Sequence, residues 1–419
     1  MLGTSFGATL HTEKKAIRIL FGIYFIYILD YMLIIPLGPQ ITQWYSISDA
    51  EFGALISAYS IAACAAGLGA STFIAKVDRR RVFLLIHLAF CGATALCGIA
   101  DSYSGLLVAR IFSGVTGGLL AALIHGIIPD LVPFERRGNA ISIVMSGLPA
   151  ATIAGVPLSL MLVASYGWKM PFLAIAILSA GLAGTAARHL HIAPISPQVP
   201  TLRRCSSLKA VFTDGNHLKA LAFTFFLLFT GGCVIPYATI YLQANAGVQE
   251  TDMPYLYLAA GLTTLVSSRA IGRFVDQHGL VRIFRLLTVG PVIAISTLTV
   301  MSPWGIWLTG SIFAVYFSCM SGRLVPGLGI AAASAAPHSR TTFMTVNASL
   351  ETAAVALGAL TGGLIIQRDI DGAIHNFPIV GVVASVAAIV AALIAGTLRL
   401  HETETPQPGQ IRRDATGRA

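Results

Sequence analysis

Five ionisable side chains fall inside otherwise apolar stretches of this sequence: Asp30, Arg110, Arg269, Arg323 and Glu351. Asp30 sits within Tyr24 to Gln40, YFIYILDYMLIIPLGPQ. A carboxylate buried in such a stretch costs at least a few kcal/mol in lipid, so it needs a partner, water or a proton. Tyr27, three residues earlier, shares its side of a helix and makes that side polar and aromatic. Burial favours the acid and a nearby arginine favours the carboxylate, so such a group can take up and release a proton. Asp30 and Glu351 are therefore the candidates for proton coupling. On helical rise, Asp30 lies about 12 Å and Arg110 about 6 Å from the same ends of their segments, a gap that a long side chain largely spans. Arg110 stays charged, so the proton would move on Asp30. A permanent structural ion pair accounts for Arg110 equally well.

Arg323 and Glu351 each lie 14 positions from Pro337, on opposite sides of the turn it marks. Equal separation predicts similar depth and a buried pair that contacts substrate or proton, with Asn347 and Thr352 adding polar groups nearby. Aromatic side chains recur in three apolar stretches, around Tyr27, Phe226 and Tyr316, and suit a greasy cavity. Tyr27, Tyr31, Phe226 and Tyr316 join Arg110 and Arg323 as candidate substrate contacts. Gly114, Gly118 and Gly155 are read as points where helices approach closely, and Pro157, with Pro149, as a bend.

The elements that must hold these groups are membrane-spanning helices. The 419-residue chain is 55% hydrophobic, with mean hydropathy +0.77 and only 11% charged residues, against about 25% in soluble domains. Twelve apolar spans are expected, near 16–38, 53–74, 82–100, 106–128, 139–163, 171–187, 218–241, 254–274, 283–301, 305–332, 342–366 and 378–398. The fold class that follows is an all-α membrane protein. Its expected parts are a six-helix bundle (1–187), a linker (188–217), a second six-helix bundle (218–400) and a disordered tail (401–419). Of the 27 Lys and Arg residues, 22 fall on the side that carries both termini and two, Lys169 and Arg368, on the other. Charge placed this way predicts cytoplasmic termini rather than a nucleic-acid groove. The six scattered cysteines form neither a disulfide framework nor a metal cluster. No cleavable leader is read before the first span.

The two halves echo one another. Phe73-Ile-Ala-Lys-Val-Asp-Arg-Arg-Arg-Val-Phe83 follows the second span, and Phe274-Val-Asp-Gln-His-Gly-Leu-Val-Arg-Ile-Phe284 follows the eighth. A repeat of six and six helices is the mark of a secondary transporter. Along its whole length the chain resembles the major facilitator superfamily, within it the bacterial twelve-helix drug and metabolite:proton antiporters of the arabinose-efflux-permease-like group. The resemblance rests on LDYMLIIPLGPQI in the first span and on Gly272-Arg-Phe-Val-Asp-Gln-His-Gly279, similar to the superfamily's signature loop. Arg110-Ile-Phe-Ser-Gly114 and Gly155-Val-Pro157 are similar to its arginine–glycine and antiport motifs. Ala75 stands where the loop usually has aspartate, and Ser159-Leu160 where the antiport motif usually closes with glycine. The resemblance implies two pseudo-symmetric bundles and gating loops at Asp78, Arg79, Arg80, Asp130, Gly272, Asp276 and Gly279. It also implies proton-driven export of a small organic molecule, a drug or a metabolite, by alternating access. Proton-coupled uptake of a sugar or organic anion is the alternative, and a non-transporting sensor a more distant one. The expected setting is the cell inner membrane, with a small-molecule substrate and the lipid bilayer as partners. The chain is expected to act as a monomer, bind no nucleic acid and metal, and use no cofactor beyond the proton gradient. No nucleotide loop or serine–histidine pairing suggests an enzyme.

Overall fold

The computed structural model describes the backbone of residues 2–73, 78–133, 136–190, 211–336, 339–369 and 372–401, and their side chains except 2–12, 70–73, 129–130, 276 and 341. The helices are α1 (Leu2–Leu33), α2 (Gly38–Tyr45), α3 (Asp49–Phe73), α4 (Arg79–Ile99), α5 (Tyr103–Leu131), α6 (Arg137–Met145), α7 (Gly147–Ala150), α8 (Val156–Tyr166) and α9 (Met170–His189) in the first half. The second half has α10 (Gly215–Ala244), α11 (Met253–His278), α12 (Leu280–Thr299), α13 (Ile306–Ala333), α14 (Arg340–Ile365) and α15 (Phe377–Ala395). Strands β1 (Gln367–Arg368) and β2 (Ile374–His375) make a small antiparallel hairpin before α15. Among the described residues, eleven of the expected spans are long and apolar enough to cross a membrane. The remaining one, α11, is long enough at 26 residues but carries Arg269, Arg273 and His278 in its second half.

Side-chain caps and special backbone angles set where helices begin and end. Asp78 accepts from the main-chain N–H of Arg80 and Arg81 at the start of α4, Ser102 from Gly105 at the start of α5, and Asp214 from Asn216 and His217 at the start of α10. Gly167, Gly279 and Gly305 turn the chain at φ +85°, +83° and +88°, where a side chain would be strained.

Two spans are interrupted. The first stops at Leu33, turns over residues 34–37 and resumes as α2. Pro36 and Pro39 lack the N–H that would continue the ladder, and tighter bonds from Ile35 to Met32 and from Gly38 to Ile35 replace it. Asp30 thus lies in the last turn of α1 rather than eight residues from a helix end. The fifth span passes from α6 and α7 through a π-helical turn, Ala151–Gly155, into α8, whose first turn holds Pro157.

The helices form two groups. Within the first, α3 packs on α5, and α4 on α5 and α9; within the second, α10 packs on α14 and α15, and α11 on α13. Between them, α3 lies along α14, α8 and the π turn meet α11, and α2 meets α10. These contacts concentrate at the end away from the basic loops. There a Cβ on Gly53 would come 2.7 Å from the Ala359 carbonyl, one on Gly363 2.6 Å from that of Asp49, and one on Gly261 3.0 Å from Ile153. Ser57 donates to Ala356 at 2.7 Å, and the Tyr237 hydroxyl donates to Ala359. Trp44, Tyr166, Tyr255 and Trp307 are exposed at this same end, as interfacial aromatic side chains are. Most of the 188–217 linker, the 402–419 tail, Ala75, Lys76 and Cys205 lie outside the described residues.

Candidate functional site

Asp30 and Arg110 meet, and both are fully buried. The break after Leu33 leaves the last carbonyls of α1 short of helical partners. Arg110, two turns into α5, reaches across to this point. Its Nη1 lies 3.4 Å from Asp30 Oδ2 and donates to the Asp30 main-chain carbonyl at 3.2 Å. Thr94 of α4 donates to the other carboxylate oxygen at 3.1 Å. The Arg110 guanidinium also lies over the Tyr59 ring of α3, 4.2 Å from its centre, an attraction of about 0.5–2 kcal/mol. Tyr31 stacks obliquely on Tyr59. Two helices therefore bond the carboxylate of a third, with α3 supporting Arg110 from behind, and a buried charge is tolerable only when it is paired and hydrogen-bonded in this way. Chemically the arrangement offers a carboxylate with a permanent counter-charge, a hydroxyl donor and no direct contact with solvent.

Glycines bring these helices close enough for the contacts to form. A Cβ on Gly114 would collide with the Tyr59 main chain, and one on Gly118 would come 2.5 Å from the Ala63 carbonyl. Gly117 leaves room for Tyr27 and Tyr59. Gly155, at the end of the π turn, packs on Phe25 and Leu29, the latter next to Asp30. Thr152 in the same turn donates to the Met32 sulfur at 3.7 Å. The glycine–proline segment is thus built against the charged end of α1.

The second expected pair does not form. Arg323 is fully buried in α13 and donates through Nη2 to the Leu227 carbonyl of α10 at 3.0 Å, while its Nε and Nη1 have no partner among the described residues. Glu351 accepts from Asn347, one turn earlier on α14, at 2.7 Å, and lies within electrostatic reach of Tyr24 on α1. Equal distance from Pro337 set the two at similar depth but said nothing of azimuth. The helices turn Arg323 into the second bundle and Glu351 toward the first. Tyr24 in turn meets His125 edge to face, and His125 bonds the Ala121 carbonyl at 2.7 Å.

The other candidates have less to connect them. Tyr27 is half-buried beside Tyr24. Tyr316 is fully enclosed by Tyr257, Phe317 and their neighbours, and Phe226 is half-buried against Phe225. Asp78 caps its own helix and pairs at 3.4 Å with exposed Arg81, and Arg80 donates to the Ala187 carbonyl at 2.5 Å. Arg79 opens α4. Gly279 ends α11, and Gly272 faces open space. The side chains of Asp130 and Asp276 lie outside the described residues.

One contact had no counterpart in the sequence reading. Asp49, at the start of α3, is buried and takes two bonds from Arg368 of β1, from Nε at 2.8 Å and from Nη2 at 2.7 Å. The available signal was Arg368 itself, one of the two basic residues placed on the side poor in positive charge. The other, Lys169, pairs with Asp101 at 2.6 Å.

Comparison with known proteins places this architecture. The family model described as Major Facilitator Superfamily matches residues 20–359. The uncharacterized MFS-type transporter YtbD of Bacillus subtilis is 24% identical over 379 residues, covering 89% of this chain and 92% of the relative. The inner membrane transport protein YdhP of Escherichia coli is 24% identical over 384 residues, covering 88% and 92%. Among solved structures, a bacterial homolog of the human lysosomal transporter Spinster, in an inward-facing and unoccupied conformation, matches with TM-score 0.74 at 15% identity, covering 92% of this chain and 96% of that one. The nucleoside transporter NupG matches with TM-score 0.74 at 15% identity, covering 92% and 99%.

Proposed function

The chain belongs to the Major Facilitator Superfamily, and on that premise we propose that this secondary transporter exports a small organic molecule, a drug or a metabolite, in exchange for protons. One observation carries the proposal: Asp30, fully buried, shares its carboxylate between Arg110 and Thr94 at the broken end of the first span. A protonated Asp30 would weaken its hold on Arg110, and an ionised one would restore it. A proton would in this way bias the packing of α1, α4 and α5 around it. The glycine–proline segment that abuts Leu29 and Met32 gives the fifth span a share in that change. Glu351, on the other bundle and near Tyr24, is the second candidate to take a proton or touch substrate.

Alternating access follows from the two groups of helices, joined in this structure at the end away from the basic loops. We place the basic end in the cytoplasm of a cell whose inner membrane holds the protein, because 22 basic residues lie on that side. Export is tested in inverted vesicles loaded with a pH gradient and offered a panel of drugs and metabolites. Accumulation that collapses with the gradient supports the proposal, and uptake into right-side-out vesicles alone overturns its direction. Sidedness is tested separately by an impermeant thiol reagent on intact cells. Cysteine at Ser48 should react and Cys205 should not.

A further inference from the structure

The contact between Asp49 and Arg368 joins the two bundles at the end where they are closed. Asp49 opens α3 in the first bundle, and Arg368 follows α14 in the second. Two parallel bonds of 2.7 and 2.8 Å make the fork-to-carboxylate geometry that only arginine supplies. Asp49 is 3% exposed, so its charge depends on this partner. The Arg368 Nη2 also reaches Thr42 on α2 at 3.3 Å, which ties in the detached end of the first span.

Arg368 is held in place for this contact. Its hairpin is fixed to α10 by Asn245, which donates to the Ile374 carbonyl at 3.0 Å and accepts from the Ile374 N–H at 2.9 Å. Immediately before the hairpin, Ile366 caps α14, and one turn earlier Gly363 rests on the Asp49 carbonyl. Bidentate pairing, burial of the acid and a clamped hairpin exceed what a solvated loop charge requires. An interface that must open and close cannot keep such a pair in both states.

We propose that Asp49 and Arg368 are the latch that holds the end opposite the basic loops shut, and that the pair parts whenever that end opens. The proposal rests on the alternating-access reading above but concerns which residues set the balance between the two states. Its test needs no substrate. Spin labels are placed on cysteines at Gln43 and Gln249, exposed positions on opposite bundles at the closed end, in a chain otherwise free of cysteine and reconstituted in nanodiscs. A second label pair at Gly138 and Gln277 reports the basic end.

The latch requires Arg368→Ala and Asp49→Ala each to raise the ratio of long to short distances at the first label pair, at least about fivefold. The double variant should add little to either single change, because both remove one contact. Arg368→Lys, which keeps the charge but not the fork, should fall between wild type and Arg368→Ala and can stand in if the alanine variant is not monodisperse. Unchanged distance distributions in the single variants, or effects that simply add in the double, overturn the latch. Distances that shift while no compound is moved in vesicles would keep the latch and remove the export reading instead.

Discussion

The Arg110 guanidinium bonds both the side chain and the main chain of Asp30, at 3.4 and 3.2 Å, across helices 80 positions apart in sequence. The main-chain bond falls in the last turn of α1, just before the span breaks. A pair held this way is a structural element as well as a candidate proton site, and the two roles separate by experiment.

Removing Arg110 alone strands a fully buried carboxylate. Arg110→Gln is predicted to lose about 3–5 kcal/mol of stability, while Arg110→Gln combined with Asp30→Asn should be distinctly milder. Thermal unfolding of the purified variants in one detergent reads the difference. A double variant as unstable as Arg110→Gln would mean that Arg110 acts through Tyr59 and the α1 carbonyl rather than through the Asp30 charge.

Arg323 and Glu351 make a contrasting prediction. Since they face different bundles, the effects of Arg323→Gln and Glu351→Gln on stability should add to within about 0.5 kcal/mol. A coupling energy clearly above that would show that the two charges meet after all.

Direction around a helix was not legible in the sequence, and for Asp30 the distance to the helix end was misjudged as well, because α1 stops at Leu33. Its pairing with Arg110 formed nonetheless, while Arg323 and Glu351, matched by the same reasoning, did not meet. Eleven of the twelve expected spans, the glycine contacts at Gly114, Gly118 and Gly155 and the bend near Pro157 follow from local apolar runs and small residues. Asp49 was invisible because an acid in the first turn of a helix has an ordinary reason to be there, and its partner lies 319 positions away. Helix breaks were half legible: the bend near Pro157 was read, but the resumption of the first span as α2, with Gly38 against Ile240 and Phe52, was not.

Glycine positions on one helix should differ sharply. A Cβ at Gly118 meets the Ala63 carbonyl at 2.5 Å, whereas one at Gly126 meets nothing within 4 Å. Gly118→Val is predicted to destabilise by about 1–3 kcal/mol, and Gly126→Ala to be neutral or to stabilise by up to about 1 kcal/mol. Comparable losses at the two sites would remove close α3–α5 packing as the reason for Gly118.

At the basic end, partial burial pushes the Asp214 carboxyl up, but bonds from Asn216 and His217 outweigh it and hold the group below its ordinary value. A carboxyl depressed in the folded state stabilises above its unfolded pKa, about 3.9, and loses that contribution as pH falls through the folded value. Asp214→Ala should therefore cost about 1 kcal/mol at neutral pH and progressively less below about pH 4. A penalty that is constant down to pH 3 would assign the loss to something other than the ionised cap.

The central claim is that Asp30 carries the coupled proton, and Asp30→Asn tests it most directly. The amide oxygen can still accept from Arg110 and its NH2 can donate to the Thr94 hydroxyl, so the variant should fold and reach the membrane, but it cannot ionise. In proteoliposomes offered a compound that the wild type moves, the variant is expected to exchange labelled for unlabelled compound across the membrane. It is also expected to lose all accumulation driven by a pH gradient. Accumulation by Asp30→Asn against the concentration gradient at the wild-type rate would contradict the account and leave Asp30 a structural partner of Arg110.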